Sequence, residues 1–243
     1  MEHRGLALPY QLFVFKQKLA PYESVKLRAA VMKLIPKNSI LYHNHLNDGF
    51  VYGYPLIQYK SLNGQAAILY LGEGVNYIGD LFKDMSQTAQ LPSGDRIDLS
   101  IQKIRAKIYH LQLLDRPRHY RLTHWIPLQD ENYRLYKSLH TDEARLAFLK
   151  KILVGNILSF AQGVRWKVEG AIEIPRFEIK RQYWISYKKV KMLGFDIDFA
   201  ANVFLPPYIG LGKGAAKNYG VISKGHSRYT ALTLLTEQPN EQS

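Results

Sequence analysis

Two histidines separated by one residue are the strongest candidates for chemistry in this sequence. They lie in the run His43-Asn44-His45. In a β-strand, residues i and i+2 lie on the same face, so both imidazoles can reach one site. Histidine donates and accepts protons near neutral pH. RNA cleavage without a metal needs one group that helps remove the 2′-hydroxyl proton and another that protonates the 5′-oxygen leaving group, and the pair fits these two tasks.

Other polar residues near the histidines can stabilise charge or act as ligands. Lys33, Lys37 and Tyr52 are close enough in sequence to hold a negatively charged phosphorane. Two other interpretations stay open, namely that the histidines are ordinary polar residues or that they bind zinc. A zinc site needs one or two further ligands. Because the chain has no cysteine, Asp48 or distant carboxylates would have to supply them.

A glycine-dense loop near the end of the chain is the second candidate site. It spans residues 206–222 and contains Gly210, Gly212, Lys213, Gly214, Lys217 and Gly220. Glycine lets backbone N–H groups approach an anion closely and lysine adds a full charge, so a phosphate is the expected ligand. A nucleotide P-loop is excluded because Lys213 is followed by glycine rather than serine or threonine. A dinucleotide-binding motif is excluded because its third glycine comes one residue early and a strand pattern follows. A flexible loop without a ligand remains the alternative.

The charge balance favours a polyanionic partner. The 243 residues include 33 Lys and Arg against 20 Asp and Glu, which gives a net charge of +13. Such an excess attracts nucleic acid through counterion release. A membrane protein is not expected, because no apolar run approaches the roughly 20 residues of a span and no secretory cleavage pattern is present. The absence of cysteine excludes disulfides and thiolate catalysis. We expect a cytoplasmic protein.

The first half of the chain has the pattern β-α-β-β-α-β. A strand is predicted over residues 11–18 and a helix over residues 21–35, where apolar residues recur at i, i+3, i+4 and i+7. An Asn-Gly dipeptide predicts a hairpin between residues 56–60 and 65–71. A short helix over residues 78–85 and one more strand complete the order. This is a ferredoxin-like domain, with helices on one face of an antiparallel sheet.

The second half is predicted to contain another, less regular domain of the same α+β class. Residues 101–113 and 120–127 are expected to pair as strands around a basic turn. Thr141 is the predicted cap of the longest helix, which ends at Gly163. Three β-rich runs then lead to the glycine loop: residues 171–179, 183–192 and 195–205.

These elements predict an N-terminal domain over residues 1–90 and a C-terminal domain over residues 96–228, followed by a flexible tail over residues 229–243. Lys188 and Lys189 belong to a basic, aromatic stretch of the C-terminal domain. Such a stretch can grip the A-form stem of an RNA hairpin through its phosphates, and a solvated sheet face is the alternative. The same two interpretations hold for a second basic cluster at residues 116–121.

The glycine loop resembles the C-terminal loop of the RAMP superfamily, the CRISPR-associated RNA-binding proteins. That loop has a glycine–hydrophobic–glycine run at each end and five residues between them that include lysine or arginine. Here the first run is complete, whereas Asn218 replaces one glycine of the second. Asparagine is the residue that best tolerates the left-handed conformation after glycine. The resemblance implies that the RNA backbone is lined by Gly210, Gly212, Lys213, Lys217 and Gly220.

The histidine segment resembles the N-terminal domain of one branch of the CRISPR repeat-processing endoribonucleases, which cut precursor CRISPR RNA at each repeat. The matching residues are the histidine pair and residues 52–60. The active site of that branch has the two histidines, a tyrosine seven residues past the second histidine, and a lysine near the end of the first helix. The resemblance places these roles on His43, His45 and Tyr52, with Lys33 or Lys37 as the lysine.

The resemblance as a whole implies a protein of two tandem ferredoxin-like (RAMP- or RRM-like) domains that cleaves repeat RNA without a metal or any other cofactor. His45 would transfer protons with His43 as its partner, and Tyr52 and Lys33 would hold the phosphate. The products would carry a 5′-hydroxyl and either a 2′,3′-cyclic phosphate or a 2′- or 3′-phosphate. The expected partner is CRISPR repeat RNA, either a hairpin or unstructured, and both a homodimer and a place in a CRISPR effector complex stay open. The rival interpretation is a RAMP subunit that binds RNA and cuts nothing, which would have no use for paired histidines.

Overall fold

The computed structural model describes residues 5–35, 42, 45–46, 49–50, 53–83, 88–90, 94 and 96–225. His43, Tyr52 and the predicted tail over residues 229–243 lie outside them. Within these ranges the strands, numbered along the chain, are β1 (Leu6–Lys18), β2 (His45–Leu46), β3 (Gly49–Phe50), β4 (Ile57–Leu62), β5 (Gln65–Leu71), β6 (Thr88–Gln90), β7 (Arg96–Asp98), β8 (Ile101–Leu111), β9 (Leu113–Trp125), β10 (Arg176–Tyr187), β11 (Val190–Val203) and β12 (Val221–Lys224). The α-helices there are α1 (Ser24–Leu34), α2 (Ile78–Phe82), α3 (Asp130–Ser138) and α4 (Asp142–Gly163), with 3₁₀ turns at Pro21–Glu23 and Gly72–Tyr77.

Two four-stranded antiparallel sheets form the framework. The first has the order β4-β5-β1-β8 and the second the order β10-β11-β9-β12. When the four strands of each sheet are counted along the chain, both orders are 2-3-1-4, so the two halves repeat one arrangement. Two short ribbons, β2 with β3 and β6 with β7, lie outside these sheets. The predicted α+β class with tandem ferredoxin-like domains is confirmed.

The alternation of residues along β1 places the first sheet between two cores. Phe13 and Phe15 lie on the helix side, in a core that includes Leu27 of α1. Tyr10 and Leu12 lie on the opposite face, in a larger core that continues into the second half of the chain. Because neighbouring residues of a strand face opposite sides of a sheet, one strand serves both cores.

The long helix α4 forms as its sequence predicts. The Thr141 hydroxyl accepts a hydrogen bond from the Ala144 backbone N–H at 3.1 Å and so caps the first turn. Leu149, Leu153 and Ile157 recur at helical spacing and are fully buried. They belong to the same core as residues of β9 and β11, so α4 packs on the second sheet.

The strand pairing predicted for the middle of the chain is wrong. Residues 101–111 do form a strand, β8, but it pairs with β1 in the first sheet, with Ile104 opposite Phe13. β9 pairs instead with β11 and β12. Only Gln112 separates β8 from β9, whereas a hairpin turn needs at least two residues, so the chain passes from one sheet to the other at this point.

Two other elements differ from the sequence-based expectation. The β-rich runs before the glycine loop merge into one hairpin of β10 and β11, which extends from Arg176 opposite Ala200 to Tyr187 opposite Val190. The helix α3 was not predicted. The limits of the two domains stay a prediction. One observation bears on them: β8 belongs to the first sheet. In the described part of the chain, no helix is long and apolar enough to cross a membrane.

Candidate RNA-binding site

The glycine loop connects β11 to β12 and folds back on itself through backbone hydrogen bonds. Leu211 N–H donates to the Gly220 carbonyl at 2.8 Å. At the tip, Lys217 N–H donates to the Gly214 carbonyl at 2.7 Å. These bonds satisfy polar backbone groups that a helix or sheet would otherwise pair, and they give the loop a fixed path.

Close packing requires three of the loop glycines. A Cβ on Gly220 would lie 1.9 Å from the Leu211 oxygen, and one on Gly210 would lie 2.5 Å from the Ala215 oxygen. A Cβ on Gly212 would lie 2.9 Å from a side-chain oxygen of α4. Gly212 and Gly220 also have positive φ angles of 78° and 58°, which residues with a Cβ rarely adopt. Packing within the protein therefore accounts for these glycines.

Asn218 takes the backbone conformation that its place in the loop pattern requires. Its φ is 65°, in the left-handed region. The side-chain amide donates to the Pro21 carbonyl at 3.4 Å, just before α1. Asparagine therefore substitutes for glycine here without a change in the path of the loop, as the sequence predicted.

The loop is bound to the edge of the first sheet at β4. Tyr59 N–H donates to the Ala216 carbonyl at 2.8 Å, and Tyr59 forms a parallel bridge with Lys217. The Gln58 Oε1 atom accepts from the Gly210 N–H at 2.9 Å. β4 is the edge strand of its sheet, so the glycine loop extends the first sheet by one short stretch of parallel strand.

Two fully buried polar side chains complete this contact. Lys60 Nζ donates to the Ala215 carbonyl at 2.9 Å, and Ser24 Oγ donates to the Lys217 carbonyl at 2.8 Å. Together with the Tyr59 amide, they bind the carbonyls of residues 215, 216 and 217 in succession. Burial lowers the pKa of Lys60 to about 7, because an apolar environment disfavours the charged form.

Two lysines approach the ring of Tyr187 at the end of β10, and Arg28 and Lys188 act electrostatically on one of them. Lys213 Nζ and Lys217 Nζ lie 5.7 Å and 5.8 Å from the ring centre. Burial lowers the pKa of Lys217, and the positive charges of Arg28 and Lys188 lower it further. We refer to these five residues as the Tyr187 cluster. Their mutual repulsion is relieved when an anion binds among them, so the cluster suits a phosphate backbone.

The turn between β10 and β11 is strained and basic. It consists of Lys188 and Lys189, both exposed, with φ angles of 50° and 66°. Two-residue hairpin turns with two positive φ angles strongly favour Asn-Gly. Strained backbone of this kind is concentrated at functional sites, which agrees with the prediction that these lysines contact RNA.

Carboxylates neutralise other basic residues of the second sheet. Arg121 donates to both oxygens of Asp198, at 2.7 Å and 2.9 Å. Lys180 pairs with Glu178. The basic stretch of β10 is therefore partly neutralised along its length and remains cationic at its end, where the Tyr187 cluster lies.

The residues predicted to do chemistry lie mostly outside the described structure. His43 and Tyr52 are not among the described residues, and for His45 the structure gives a backbone position in β2, opposite Phe50. Lys33 is exposed in the last turn of α1. It follows Arg28 by five residues, which is about 7.5 Å along the helix axis. The helix that contributes to the Tyr187 cluster therefore also carries Lys33, and the catalytic roles stay a prediction.

Sequence reasoning missed the residues that hold the loop. These are Ser24, Gln58 and Lys60, together with Arg28 in the Tyr187 cluster. One pattern was visible, since Gln58 and Lys60 alternate on one face of a predicted strand, although only the structure shows that residues 57–60 are all buried. A long polar side chain on a buried face must find a hydrogen-bond partner, although the sequence does not say which one.

Two models of known protein families match this chain. A model of the Cas6b N-terminal domain matches residues 8–110, and a model of the Cas6b C-terminal domain matches residues 112–225. The chain belongs to the Cas6b family. The two family models meet at residue 111, where this Cas6b chain passes from β8 in the first sheet to β9 in the second.

Solved structures agree with the fold of this Cas6b chain. A crystal structure of Cas6b superposes with a TM-score of 0.81 at 26% identity, over 90% of this chain and 100% of that one. A crystal structure of the CRISPR RNA processing endoribonuclease Cas6b gives 0.70 at 22% identity, over 90% and 100%. The type IV Cas6 crRNA endonuclease Csf5 gives 0.51 at 13% identity, over 91% and 100%. The last two likenesses concern the fold alone.

A sequence relative is found in Methanocaldococcus jannaschii. This uncharacterized protein is 36% identical over 98 residues, which are 40% of this chain and 65% of the relative. The match therefore spans less than two thirds of that relative's length.

Proposed function

We propose that this Cas6b chain is an endoribonuclease that cuts CRISPR repeat RNA without a metal ion. The nucleophile is the 2′-hydroxyl next to the scissile phosphate. One product ends in a 2′,3′-cyclic phosphate and the other begins with a 5′-hydroxyl, and the cut releases guide RNAs. The observation that carries the proposal is the Tyr187 cluster, because the glycine loop and the half of the chain with the histidine pair build this cationic site together.

The histidine pair does the proton transfers. His45 is the main proton-transfer residue and His43 is its partner. One imidazole takes the proton of the 2′-hydroxyl as that oxygen bonds to phosphorus, and the other protonates the 5′-oxygen as its bond to phosphorus breaks. Tyr52 and Lys33 stabilise the negative charge on the phosphorane.

The residues of the chain favour a nucleophile that belongs to the substrate. A 2′-hydroxyl is already next to the phosphate, so its attack avoids the entropy cost of positioning a water molecule. The remaining requirements are proton transfer and charge stabilisation, which histidine, tyrosine and lysine side chains supply. The sequence offers these residue types together between positions 33 and 52.

The glycine loop and the β10–β11 turn hold the RNA backbone. Lys213, Lys217, Lys188 and Lys189 bind phosphates. Gly210 and Gly220 are buried, so they act on RNA through the path of the loop, with Gly212 at its bend. The proposal requires neither a homodimer nor an effector complex.

The test is to incubate the purified protein with the repeat RNA of its own host, with and without EDTA. A second RNA carries a single 2′-deoxy nucleotide on the 5′ side of the cut. We expect cleavage to survive excess EDTA and to stop with the deoxy-substituted RNA, which should still bind. The released downstream fragment should have a 5′-hydroxyl.

Three results would contradict the proposal in different ways. Efficient cleavage of the deoxy-substituted RNA would rule out attack by the 2′-hydroxyl. A strict requirement for divalent metal would turn the histidines into ligands. Tight binding without cleavage under any condition would favour the non-catalytic RAMP subunit.

A further inference from the structure

Trp184 on β10 is an exposed aromatic residue with no place in the site described above. Its side chain is 58% exposed, whereas Trp125 and Trp166 are 0% and 8% exposed. Burial of an indole ring in a core is strongly stabilising, so an exposed tryptophan is unusual. The bases of single-stranded nucleic acids stack on such exposed rings.

A second ring lies next to Trp184. Tyr133 of α3 approaches it edge-on, with ring centres 6.3 Å apart and planes at 68°. Lys137, one turn further along α3, has its Nζ 5.8 Å from the centre of the Tyr133 ring. The two rings and this ammonium form an aromatic ledge, which we define as Trp184, Tyr133 and Lys137.

The charge around the ledge is positive. On β11, Lys191 lies opposite Ser186, on the same face of the sheet as Trp184 and diagonal to it. Lys191 and Lys137 are both exposed. Asp130, one turn before Tyr133 on α3, contributes one negative charge, which the two lysines outnumber. The ledge therefore attracts an anionic partner.

The aromatic ledge lies close to the Tyr187 cluster along β10. Trp184 precedes Tyr187 by three residues, which is about 10 Å along the strand. The two side chains lie on opposite faces, but β10 is the edge strand of its sheet, so a ligand can pass around the edge from one face to the other. An RNA strand held at Lys188 and Lys213 can therefore reach Trp184 within a few nucleotides.

We propose that Trp184 and Tyr133 form a stacking site for an unpaired base of the repeat RNA, with Lys137 and Lys191 on the flanking phosphates. This inference rests on the proposed function. Aromatic rings stack on bases of any sequence once those bases are unpaired. Paired bases already stack on each other, so the ledge selects a single-stranded segment of the repeat.

The tryptophans of this chain allow a direct test. The probe is the repeat RNA with one deoxy nucleotide 5′ of the cut, so that it binds without being cleaved. Trp125 and Trp166 are buried, and the part of an emission change on binding that is lost in Trp184→Phe reports Trp184. We expect a saturable change in the wild type. Trp184→Phe should bind with similar affinity but without that change.

Affinity gives the second readout. Trp184→Ala should weaken binding about 5- to 150-fold, the range that corresponds to about 1–3 kcal/mol of base stacking at 1.4 kcal/mol per tenfold. The control is Leu158→Ala on α4, which removes an apolar side chain that is 45% exposed and should leave binding unchanged. Both sites are exposed, and thermal unfolding of each variant checks that it remains folded.

An RNA series identifies the stacked base. Abasic nucleotides are placed one at a time at the unpaired positions of the repeat. One abasic position should weaken binding to the wild type as much as Trp184→Ala does. The same abasic RNA should bind the Trp184→Ala variant with the same affinity as the complete RNA does. This non-additivity is what direct contact between base and ring produces.

The outcomes separate this inference from the proposed function. If the wild type binds and cuts repeat RNA while tryptophan emission and the affinity of Trp184→Ala stay unchanged, the stacking site is wrong and the proposed function stands. Trp184 would then be a surface for a protein partner. If the wild type binds no repeat RNA at all, both fail.

Discussion

The two halves of the chain share a strand order but differ in the connection before their last strand. In the first half, the connection from β5 to β8 includes the helix α2, whose Leu81 is buried in the core on the helix side of its own sheet. In the second half, the connection from β11 to β12 is the glycine loop. Residues 204–220 are all described, and none of them is helical.

This difference gives the two halves polar contacts in addition to the larger core that they share. A helix pairs most of its own N–H and C=O groups and needs only an apolar face to pack. A loop must find partners for its backbone groups elsewhere. Here the partners are Tyr59, Lys60 and Ser24 of the first half, which bind residues 215–217. Because it has no helix, this connection is held against the half that carries the histidines.

The largest effects on the free energy of unfolding are expected when a glycine in each of the two connections is replaced by alanine. Gly220→Ala should lower the free energy of unfolding by about 3 kcal/mol or more, because the new Cβ would lie 1.9 Å from a backbone oxygen at a φ of 58°. Gly79→Ala in α2 should raise it by about 0.5–1 kcal/mol, because no atom outside the local helix backbone and the two neighbouring residues lies within 4 Å of the new Cβ and because alanine favours helix.

Urea denaturation of the two variants measures this contrast. We expect opposite signs for the two substitutions. If both variants were equally stable, the loop would not have the tightly packed path that distinguishes the second connection from the first.

The next effect concerns the buried lysine between the halves. The folded protein lowers the pKa of Lys60 from its ordinary value of 10.5 to about 7. Between these values the unfolded chain holds a proton that the folded chain has released, so stability rises with pH. The gain is at most about 1.4 kcal/mol per pH unit, or about 2 kcal/mol from pH 7 to pH 9. Below pH 7 Lys60 is protonated in both states, so the folded protein buries a charged ammonium group and its stability no longer changes with pH through this residue.

Lys60→Met should abolish this rise. Thermal or urea unfolding at pH 6.5, 8 and 9 checks the prediction. The matched control is Lys16→Met, at an exposed lysine on β1, which should keep the pH dependence of the wild type. A Lys60→Met variant that still gains stability between pH 7 and pH 9 would mean that another group causes the rise.

A smaller effect should come from the strained turn between β10 and β11. Replacing Lys188 and Lys189 by the favoured pair, Lys188→Asn/Lys189→Gly, should stabilise the protein by about 1 kcal/mol, because both φ angles are positive. The same change should weaken RNA binding. It should also make the plot of log K against log salt shallower, by about 0.7 for each phosphate of single-stranded RNA that the variant no longer binds.

The control for this pair is Lys150→Ala/Lys151→Ala, which removes the same charge from α4. If the turn variant gained stability and kept the affinity and salt dependence of the wild type, the turn would not bind RNA.

The sequence predicted most of the fold because its signals are local. Thr141 with the acidic residues after it predicts the start of α4, and Asn63-Gly64 predicts the hairpin of β4 and β5, both of which the structure confirms. The partner of β8 was missed because pairing between strands far apart in sequence leaves no local pattern. If the sequence had shown that β9 begins at Leu113, the single residue between the two strands would have excluded the predicted hairpin.

The candidate site was predictable in part for a similar reason. The loop pattern and its lysines were visible, and Asn218 does take the left-handed conformation that the pattern requires. The packing role of Gly210 and Gly220 was not visible, because it depends on atoms of the folded loop. The hydrogen bonds that join Gln58 and Lys60 to the loop were missed too, because their partners lie about 150 residues away.

The central claim is that the first half cuts the RNA and the loop of the second half holds it. The most direct test compares two variants, His45→Ala and Lys213→Ala/Lys217→Ala, by their RNA affinity and by their single-turnover rate at saturating RNA. We predict that His45→Ala lowers the rate by at least ~10²-fold with little change in affinity. The lysine variant should bind more weakly, with a shallower salt dependence, and should cut at close to the normal rate once RNA is saturating. A fully active His45→Ala variant, or a lysine variant with a reduced saturated rate and unchanged affinity, would contradict this division.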